Sequence, residues 1–228
     1  MIDGPVEPLF RIKVCGITTP DDARAAADAG VDCIGLNFFP GSTRFVTPAV
    51  AETVVAALPT GMVKVGLFVD TPPAEVVALV NQLGLDLAQL HGSESPDSLA
   101  ALRGIGVIRA FASSTPLEEL YDYLNECAAL GAMPWLTLLD APAPASGPPG
   151  GTGQLADQSL ARRYRETVSV PPLVLAGGLT HANVAEAIRR VRPAAVDVAS
   201  GVESAPGKKD ARLMASFVRA ARAAFEQG

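Results

Sequence analysis

The sequence predicts an α/β fold, a closed (β/α)8 barrel of eight parallel strands. Two observations lead to this class: the 228-residue chain has the length of a single-domain barrel, and eight strand-like runs alternate with eight helical ones. Such alternation implies right-handed parallel crossovers. Eight units complete a TIM barrel, whereas an open doubly wound sheet, the alternative, would leave two units without a place.

Strand-like runs and helical runs alternate along the chain. Strand-like runs lie near residues 11–15, 33–38, 63–69, 86–90, 107–111, 135–140, 173–176 and 195–199. Runs with helical spacing cover residues 21–29, 48–57, 74–83, 96–103, 117–130, 157–167, 181–191 and 209–225. We therefore predict one barrel domain over residues 11–228, preceded by an N-terminal arm over residues 1–10 that is a candidate for disorder.

Capping signals support these helix positions. A Thr or Ser precedes the expected first turn of four helices, at Thr19, Thr47, Ser95 and Thr180. Glycines stand just beyond three helices, at Gly30, Gly84 and Gly131.

Composition restricts the partners. Hydrophobic residues make up 49% of the chain and charged residues 18%, which suits a globular core. The net charge of −6 is scattered, so no basic stripe offers a nucleic-acid site. No leader and no run of about 18 apolar residues is seen, so we expect no membrane partner and a cytoplasmic location.

The cysteines and histidines do not suggest a metal or a disulfide. Cys15, Cys33 and Cys127 are widely spaced, and the chain has two histidines. We interpret Cys33 and Cys127 as core residues. No metal or other cofactor is therefore expected.

In a (β/α)8 barrel, chemistry is expected at the C-terminal ends of the strands. The polar or glycine positions there are Cys15, Arg44, Asp70, Gln89, His91, Asp140, Gly177, Gly178, Ser200 and Gly201. The glycines after the seventh and eighth strands predict a phosphate cradle of backbone N–H groups. The alternative is that they only form tight turns.

Asp140 and Cys15 are the candidate acid and base. Asp140 ends an apolar strand, so burial should raise its pKa toward the range of a general acid; the alternative is a loop cap. Cys15 shares strand parity with Lys13, whose ammonium would favour the thiolate. Asp197, on the neighbouring last strand, could pair with Lys13 instead. Residues 141–153, rich in Pro and Gly, are expected to form a long loop over the site rather than a linker.

Nine segments of the chain closely resemble segments of the phosphoribosylanthranilate isomerase family. They occur in the same order as in the family, and the match runs from about residue 11 to residue 225. They are Lys13-Val14-Cys15-Gly16-Ile17-Thr18, residues 35–44, residues 64–69, Gln89-Leu90-His91-Gly92, Leu139-Asp140, residues 150–153, residues 175–179, residues 196–203 and residues 206–210. The chain departs from the family pattern at Thr43, at Ala199 and over residues 154–157, which concerns loop detail.

The resemblance implies a cofactor-independent Amadori rearrangement of a small phosphorylated substrate in tryptophan biosynthesis. It implies Cys15 as general base, Asp140 as general acid and Arg44 as the anchor of the anthranilate carboxylate. Without the resemblance, Arg44 could be a solvated surface residue. Lys13, Gln89, His91 and Asp197 are candidate supporting residues.

Alternative functions remain open at this stage. A histidine-pathway aminoaldose isomerase of the same fold uses carboxylates as both acid and base, which Cys15 disfavours, although a bifunctional enzyme would fit. A sugar-phosphate epimerase would need metal ligands, which His91 and His181 scarcely provide. A non-catalytic phosphate-binding barrel would bind without turnover. The sequence is compatible with a monomer or a homodimer.

Overall fold

Eight parallel strands close into a barrel in the order β1 to β8, which confirms the predicted fold class. The computed structural model describes residues 9–142, 156–167 and 169–227. The strands are β1 Ile12–Cys15, β2 Cys33–Asn37, β3 Val63–Phe68, β4 Leu87–Leu90, β5 Gly106–Ala112, β6 Leu136–Asp140, β7 Leu173–Leu175 and β8 Ala195–Val198.

A helix follows each barrel strand in the chain. The helices are α1 Pro20–Asp28, α2 Pro48–Ala56, α3 Pro73–Leu83, α4 Pro96–Ala100, α5 Leu117–Ala129, α6 Gln158–Arg165, α7 Val184–Val191 and α8 Ala211–Glu226. The Thr19, Thr47 and Ser95 side chains each accept a hydrogen bond from the first turn of their helix, as predicted. Gly84 ends α3 in the left-handed conformation.

The predicted start of α7 was wrong. The helix begins at Val184 and not at residue 181. The Asn183 side chain donates to the carbonyl of Gly178 and accepts from the amide of Thr180. These bonds hold residues 180–183 in a turn, so Thr180 does not cap the helix.

A short hairpin precedes α8 that the sequence pattern did not reveal. Glu203–Ala205 (β9) pairs antiparallel with Lys208–Lys209 (β10) across a turn that contains Gly207, whose φ is +77°. Residues 209 and 210 were expected to be helical, but α8 begins after Asp210, whose side chain accepts from the amides of Arg212 and Leu213. The hairpin projects from the same end of the barrel as the predicted site.

The core has two parts, one inside the barrel and one between the strands and the helices. The inner part includes Cys33, Val65, Leu87 and Ile108, and Phe10 is buried with it. Cys127 is buried in the outer part, so both cysteines that were predicted to be core residues lie in the core. The predicted domain division at residue 10 remains a prediction.

Two predicted features fall partly or wholly outside the described residues. They are the N-terminal arm, of which residues 1–8 are not described, and the long loop over the site, of which residues 143–155 are not described. In the described part of the chain, every helix is too short or too polar to cross a membrane.

Candidate active site

The seam between the first and last strands carries an ion pair. Lys13 of β1 lies in register with Asp197 of β8, and Lys13 Nζ donates to Asp197 Oδ1 at 3.0 Å. Lys13 is completely buried, and Asp197 is nearly so. The pair that was left open in the sequence therefore exists, and Lys13 points into the barrel as its strand parity predicts.

Cys15 lies next to this ion pair at the mouth of the barrel. Gly35, on the neighbouring strand, makes room for it: a Cβ atom there would stand 2.8 Å from Cys15 Sγ and 3.2 Å from Lys13 Nζ. Burial raises the pKa of the Cys15 thiol, and Lys13 and Lys209 only partly oppose this effect. The expectation that Lys13 would favour a thiolate gives the direction of its effect correctly, but burial outweighs it.

Asp140 ends β6 and faces the same pocket as Cys15. Burial raises its pKa to about 6, although the Ala141 amide donates to Oδ1 at 2.8 Å and favours the carboxylate. This matches the prediction made from its apolar strand. The group can therefore carry a proton close to neutral pH.

His91 contacts Asp140 from the end of β4. Its Nε2 lies 3.5 Å from Asp140 Oδ2, and its Nδ1 lies 3.1 Å from Gln89 Nε2. Burial lowers the pKa of His91 to about 4, and Lys13 adds to this effect. At neutral pH His91 is therefore an uncharged imidazole.

Arg44 reaches the pocket from the loop after β2, and it is not a solvated surface residue. Its Nε and Nη2 donate to the two oxygens of Glu203 on β9, each at 2.7 Å. Glu203 also accepts from Lys209 Nζ at 2.8 Å, and this ammonium donates to the Ala199 carbonyl as well. The hairpin therefore holds Arg44 in a fixed position by a bidentate pair.

The predicted glycine cradle, after β7 and β8, also lines the pocket. Gly177 and Gly178 have φ of +79° and +62°, a left-handed backbone that glycine adopts without strain. Within the described part of the chain, neither of their backbone N–H groups has a hydrogen-bond acceptor. Ser200 and Gly201 begin a 3₁₀ turn, and a Cβ atom on Gly201 would overlap the Leu179 carbonyl. The arrangement leaves amides free to bind an anion.

One pocket brings most of the candidate residues together. Those that line it are Cys15, Arg44, Gln89, His91, Asp140, Gly177, Gly178, Asp197, Ser200 and Gly201. Asp70 does not line it, and its carboxylate accepts from the Ser93 amide instead. Lys13 lies beneath the pocket.

Sequence reasoning missed the roles of Glu203 and Lys209. Both stand in segments that carry the family resemblance, but nothing local indicates that they pair with Arg44, which is 159 positions away from Glu203. The Pro206-Gly207 turn signal between them could have suggested the hairpin. Among the described residues, no group of three or more His, Cys, Asp or Glu side chains could hold a metal ion.

A (β/α)8 barrel with an acid, a thiol and an amide cradle around one pocket defines an enzyme class that acts on small phosphorylated molecules. A family model described as N-(5′-phosphoribosyl)anthranilate (PRA) isomerase matches residues 12–220. The chain belongs to this isomerase family.

Similar proteins agree with this membership. N-(5′-phosphoribosyl)anthranilate isomerases from Rubrobacter xylanophilus and Azotobacter vinelandii are 42% and 45% identical, over 94% and 93% of this chain and 100% and 97% of theirs. The phosphoribosyl anthranilate isomerase structure from Thermotoga maritima is 36% identical, with a TM-score of 0.80 over 94% of this chain and 99% of that one. Another such isomerase, 33% identical, was solved with reduced 1-(o-carboxyphenylamino)-1-deoxyribulose 5-phosphate; its TM-score is 0.78 over 94% and 99%.

We predict that Asp140→Asn stabilises the chain at high pH. The unfolded carboxyl group has a pKa of about 3.9, whereas the folded one has a pKa of about 6. Below about pH 4 both states hold the proton. Between pH 4 and 6 only the folded state holds it, so stability falls over this range, and the loss is complete once pH has risen through 6 and the folded chain carries a buried carboxylate. The expected gain of the variant is roughly 3 kcal/mol at pH 8 and close to zero at pH 4.

Urea unfolding at the two pH values measures this difference. Asp122→Asn, at an exposed position of α5, is the matched control and should show no such pH-dependent gain. An Asp140→Asn variant that is less stable than the wild type at pH 8 would contradict the burial effect.

Proposed function

We propose that this chain is a phosphoribosylanthranilate isomerase whose acid is Asp140 and whose base is Cys15. The reaction converts N-(5′-phosphoribosyl)anthranilate into 1-(2-carboxyphenylamino)-1-deoxyribulose 5-phosphate. The observation that carries the proposal is the placement of Asp140 and Cys15 at the mouth of one pocket, on strands β6 and β1. Two strands, β7 and β8, separate them on the shorter way round the barrel, so they can address a bound sugar from two sides.

The first step is the opening of the furanose ring. Asp140 donates its proton to the ring oxygen, and the bond between that oxygen and C1′ breaks as the anthranilate nitrogen supplies its lone pair. The product is a protonated Schiff base and a buried Asp140 carboxylate. A pKa of about 6 suits this donation, because the proton is present near neutrality and is readily released.

The second step is proton removal from carbon. The Cys15 thiolate takes the C2′ proton, and the electron pair forms the C1′–C2′ double bond of an enolamine. Tautomerisation moves the proton of the C2′ hydroxyl to C1′ and gives the ketone, so the reaction is redox-neutral overall. Lys13 and Lys209 favour the thiolate form that this step requires.

Arg44 can anchor the anthranilate carboxylate without releasing Glu203. A guanidinium offers two bidentate edges, and Glu203 occupies the edge formed by Nε and Nη2. The other edge, which includes Nη1, remains available to a substrate carboxylate at the pocket wall. We therefore assign Glu203 and Lys209 as residues that orient Arg44.

The phosphate group fits the glycine cradle. Gly177, Gly178, Ser200 and Gly201 line the pocket. Backbone amides can hold the dianion there without a side-chain cation. The substrate is then held at both ends, by the cradle and by Arg44, while the sugar lies between Asp140 and Cys15.

Cys15 argues against a histidine-pathway isomerase as the main function, because that chemistry relies on two carboxylates, and acceptance of a second aminoaldose is a matter for assay. The cytoplasmic location remains a prediction. So does the choice between monomer and homodimer; a related isomerase from Thermotoga maritima is described as dimeric.

The wild type should isomerise freshly prepared phosphoribosylanthranilate, and Cys15→Ser and Asp140→Asn should each lower kcat by about 10²- to 10⁴-fold. A hydroxyl has too high a pKa to act as the base, and an amide has no proton to give. The assay follows the loss of substrate fluorescence. Near-native turnover in either variant would remove that residue from the mechanism, and binding of product without wild-type turnover would indicate a non-catalytic barrel.

Arg44→Ala should raise KM more than it lowers kcat, because the carboxylate that it binds does not change during the reaction. Loss of a charge-assisted pair corresponds to about one to two decades in kcat/KM. Arg24→Ala, an exposed arginine of α1, is the matched control and should leave both constants unchanged. Unchanged KM with a collapse of kcat would show that Arg44 takes part in the chemistry.

A further inference from the structure

His91 lies between two polar side chains, the amide of Gln89 and the carboxyl group of Asp140. Gln89 presents its amide nitrogen to His91 Nδ1 at 3.1 Å. In this orientation of the amide Gln89 donates and Nδ1 accepts, so the proton of the uncharged imidazole lies on Nε2, while Gln89 Oε1 is buried without a partner among the described residues. That N–H faces Asp140 Oδ2, 3.5 Å away.

We propose that Gln89 and His91 are positioning residues for Asp140: Gln89 fixes the tautomer in which His91 turns an N–H toward the carboxylate that remains after Asp140 has given up its proton. The inference rests on the proposed function, in which Asp140 is the general acid. It gives a role to a buried glutamine and a partly buried histidine that take no proton from the substrate themselves.

The main chain around His91 is clamped as well. Arg109 of β5 donates to the carbonyls on either side of His91, from Nη1 to Leu90 and from Nη2 to Gly92, both at 3.0 Å. Glu94 accepts from the Gly92 amide at 2.9 Å and from Arg109 Nη1 at 3.1 Å. The imidazole therefore has little freedom to move away from Asp140.

Burial, more than the surrounding charges, keeps His91 uncharged. Lys13 and Arg109 lower the pKa of His91, whereas Asp197 and Glu94 raise it, and burial is the largest effect. Asp140 faces the same Lys13 and Asp197, besides the Ala141 amide. An uncharged imidazole does not hold Asp140 as a carboxylate before the reaction, as an imidazolium would.

The arrangement suits the moment of proton transfer. As the Asp140 proton moves to the ring oxygen, negative charge develops on a buried carboxylate, and a donor already aimed at it lowers the barrier. The 3.5 Å contact is longer than a normal hydrogen bond, and a small closure on substrate binding would shorten it. The His91 N–H is aimed at Oδ2, while the Ala141 amide binds Oδ1.

Nitrogen NMR of histidine-labelled protein tests the tautomer directly, without substrate. The chain has two histidines, and a His181→Gln variant at an exposed position assigns the signals. His91 should be uncharged from pH 5 to 8 and carry its proton on Nε2. Gln89→Met removes the donor, and the fraction of the Nδ1–H tautomer should then rise, most at pH 5, where Asp140 is largely protonated and no longer attracts the Nε2 proton. A wild type with the proton on Nδ1, or no change of tautomer in Gln89→Met, would overturn the proposal.

Kinetic measurements test whether the Nε2–H of His91 assists proton donation by Asp140. His91→Leu should lower kcat about ten- to hundredfold with little change in KM, and His91→Gln, whose amide can donate from a similar place, should recover most of the loss. Tyr121→Phe, which removes a hydroxyl of α5 bonded to Thr167, is the control and should keep the wild-type kcat. Wild-type kcat in His91→Leu, or equal losses in both His91 variants, would overturn the proposal.

The two claims can fail separately. If the wild type showed no isomerase turnover, the proposed function would fall while the tautomer measurement would still stand. If turnover is normal and the tautomer or the His91 variants disagree, only the inference about Gln89 and His91 falls.

Discussion

The buried ion pair between Lys13 and Asp197 is the interaction on which the site depends. It lies at the seam where β8 meets β1, so closing the barrel brings the two charges together where Lys13 is completely buried and Asp197 nearly so. A buried ammonium without a partner would cost several kcal/mol. This pair influences the pKa of both Cys15 and Asp140. Lys13 favours the charged form of each group, and Asp197 disfavours it.

The same burial acts on the acid and the base with opposite consequences for catalysis. It raises the pKa of Asp140 to about 6, so that about one acid in ten still holds its proton at pH 7, and it raises the pKa of Cys15, which disfavours the thiolate. The form with a protonated Asp140 and a thiolate is therefore a minor one in the free protein. The two lysines near Cys15 reduce this cost without removing it.

The barrel could be predicted because its signals are local. Strand runs, capping residues and glycine turns are each readable within about ten residues. Strand parity predicted that Cys15 points into the barrel, and its position at the end of an apolar strand placed Asp140 at the barrel mouth. The contacts of Arg44 with Glu203 and of Arg109 with the loop around His91 could not be predicted, since they join residues that lie far apart in the chain. The effect of burial on the pKa of Cys15 could not be predicted either, because it depends on how completely the packed side chains exclude water. The sequence indicates only which charged residues lie nearby.

The most direct test of this account is the pH dependence of kcat/KM between pH 5 and 10, which reports on the free enzyme. The active form holds one proton between Asp140 and Cys15. We therefore expect kcat/KM to rise about tenfold per pH unit below pH 6, to stay level above it, and to fall only beyond the ordinary thiol range, which is about 8.5. A kcat/KM that falls steadily from pH 6 to pH 8 would contradict it.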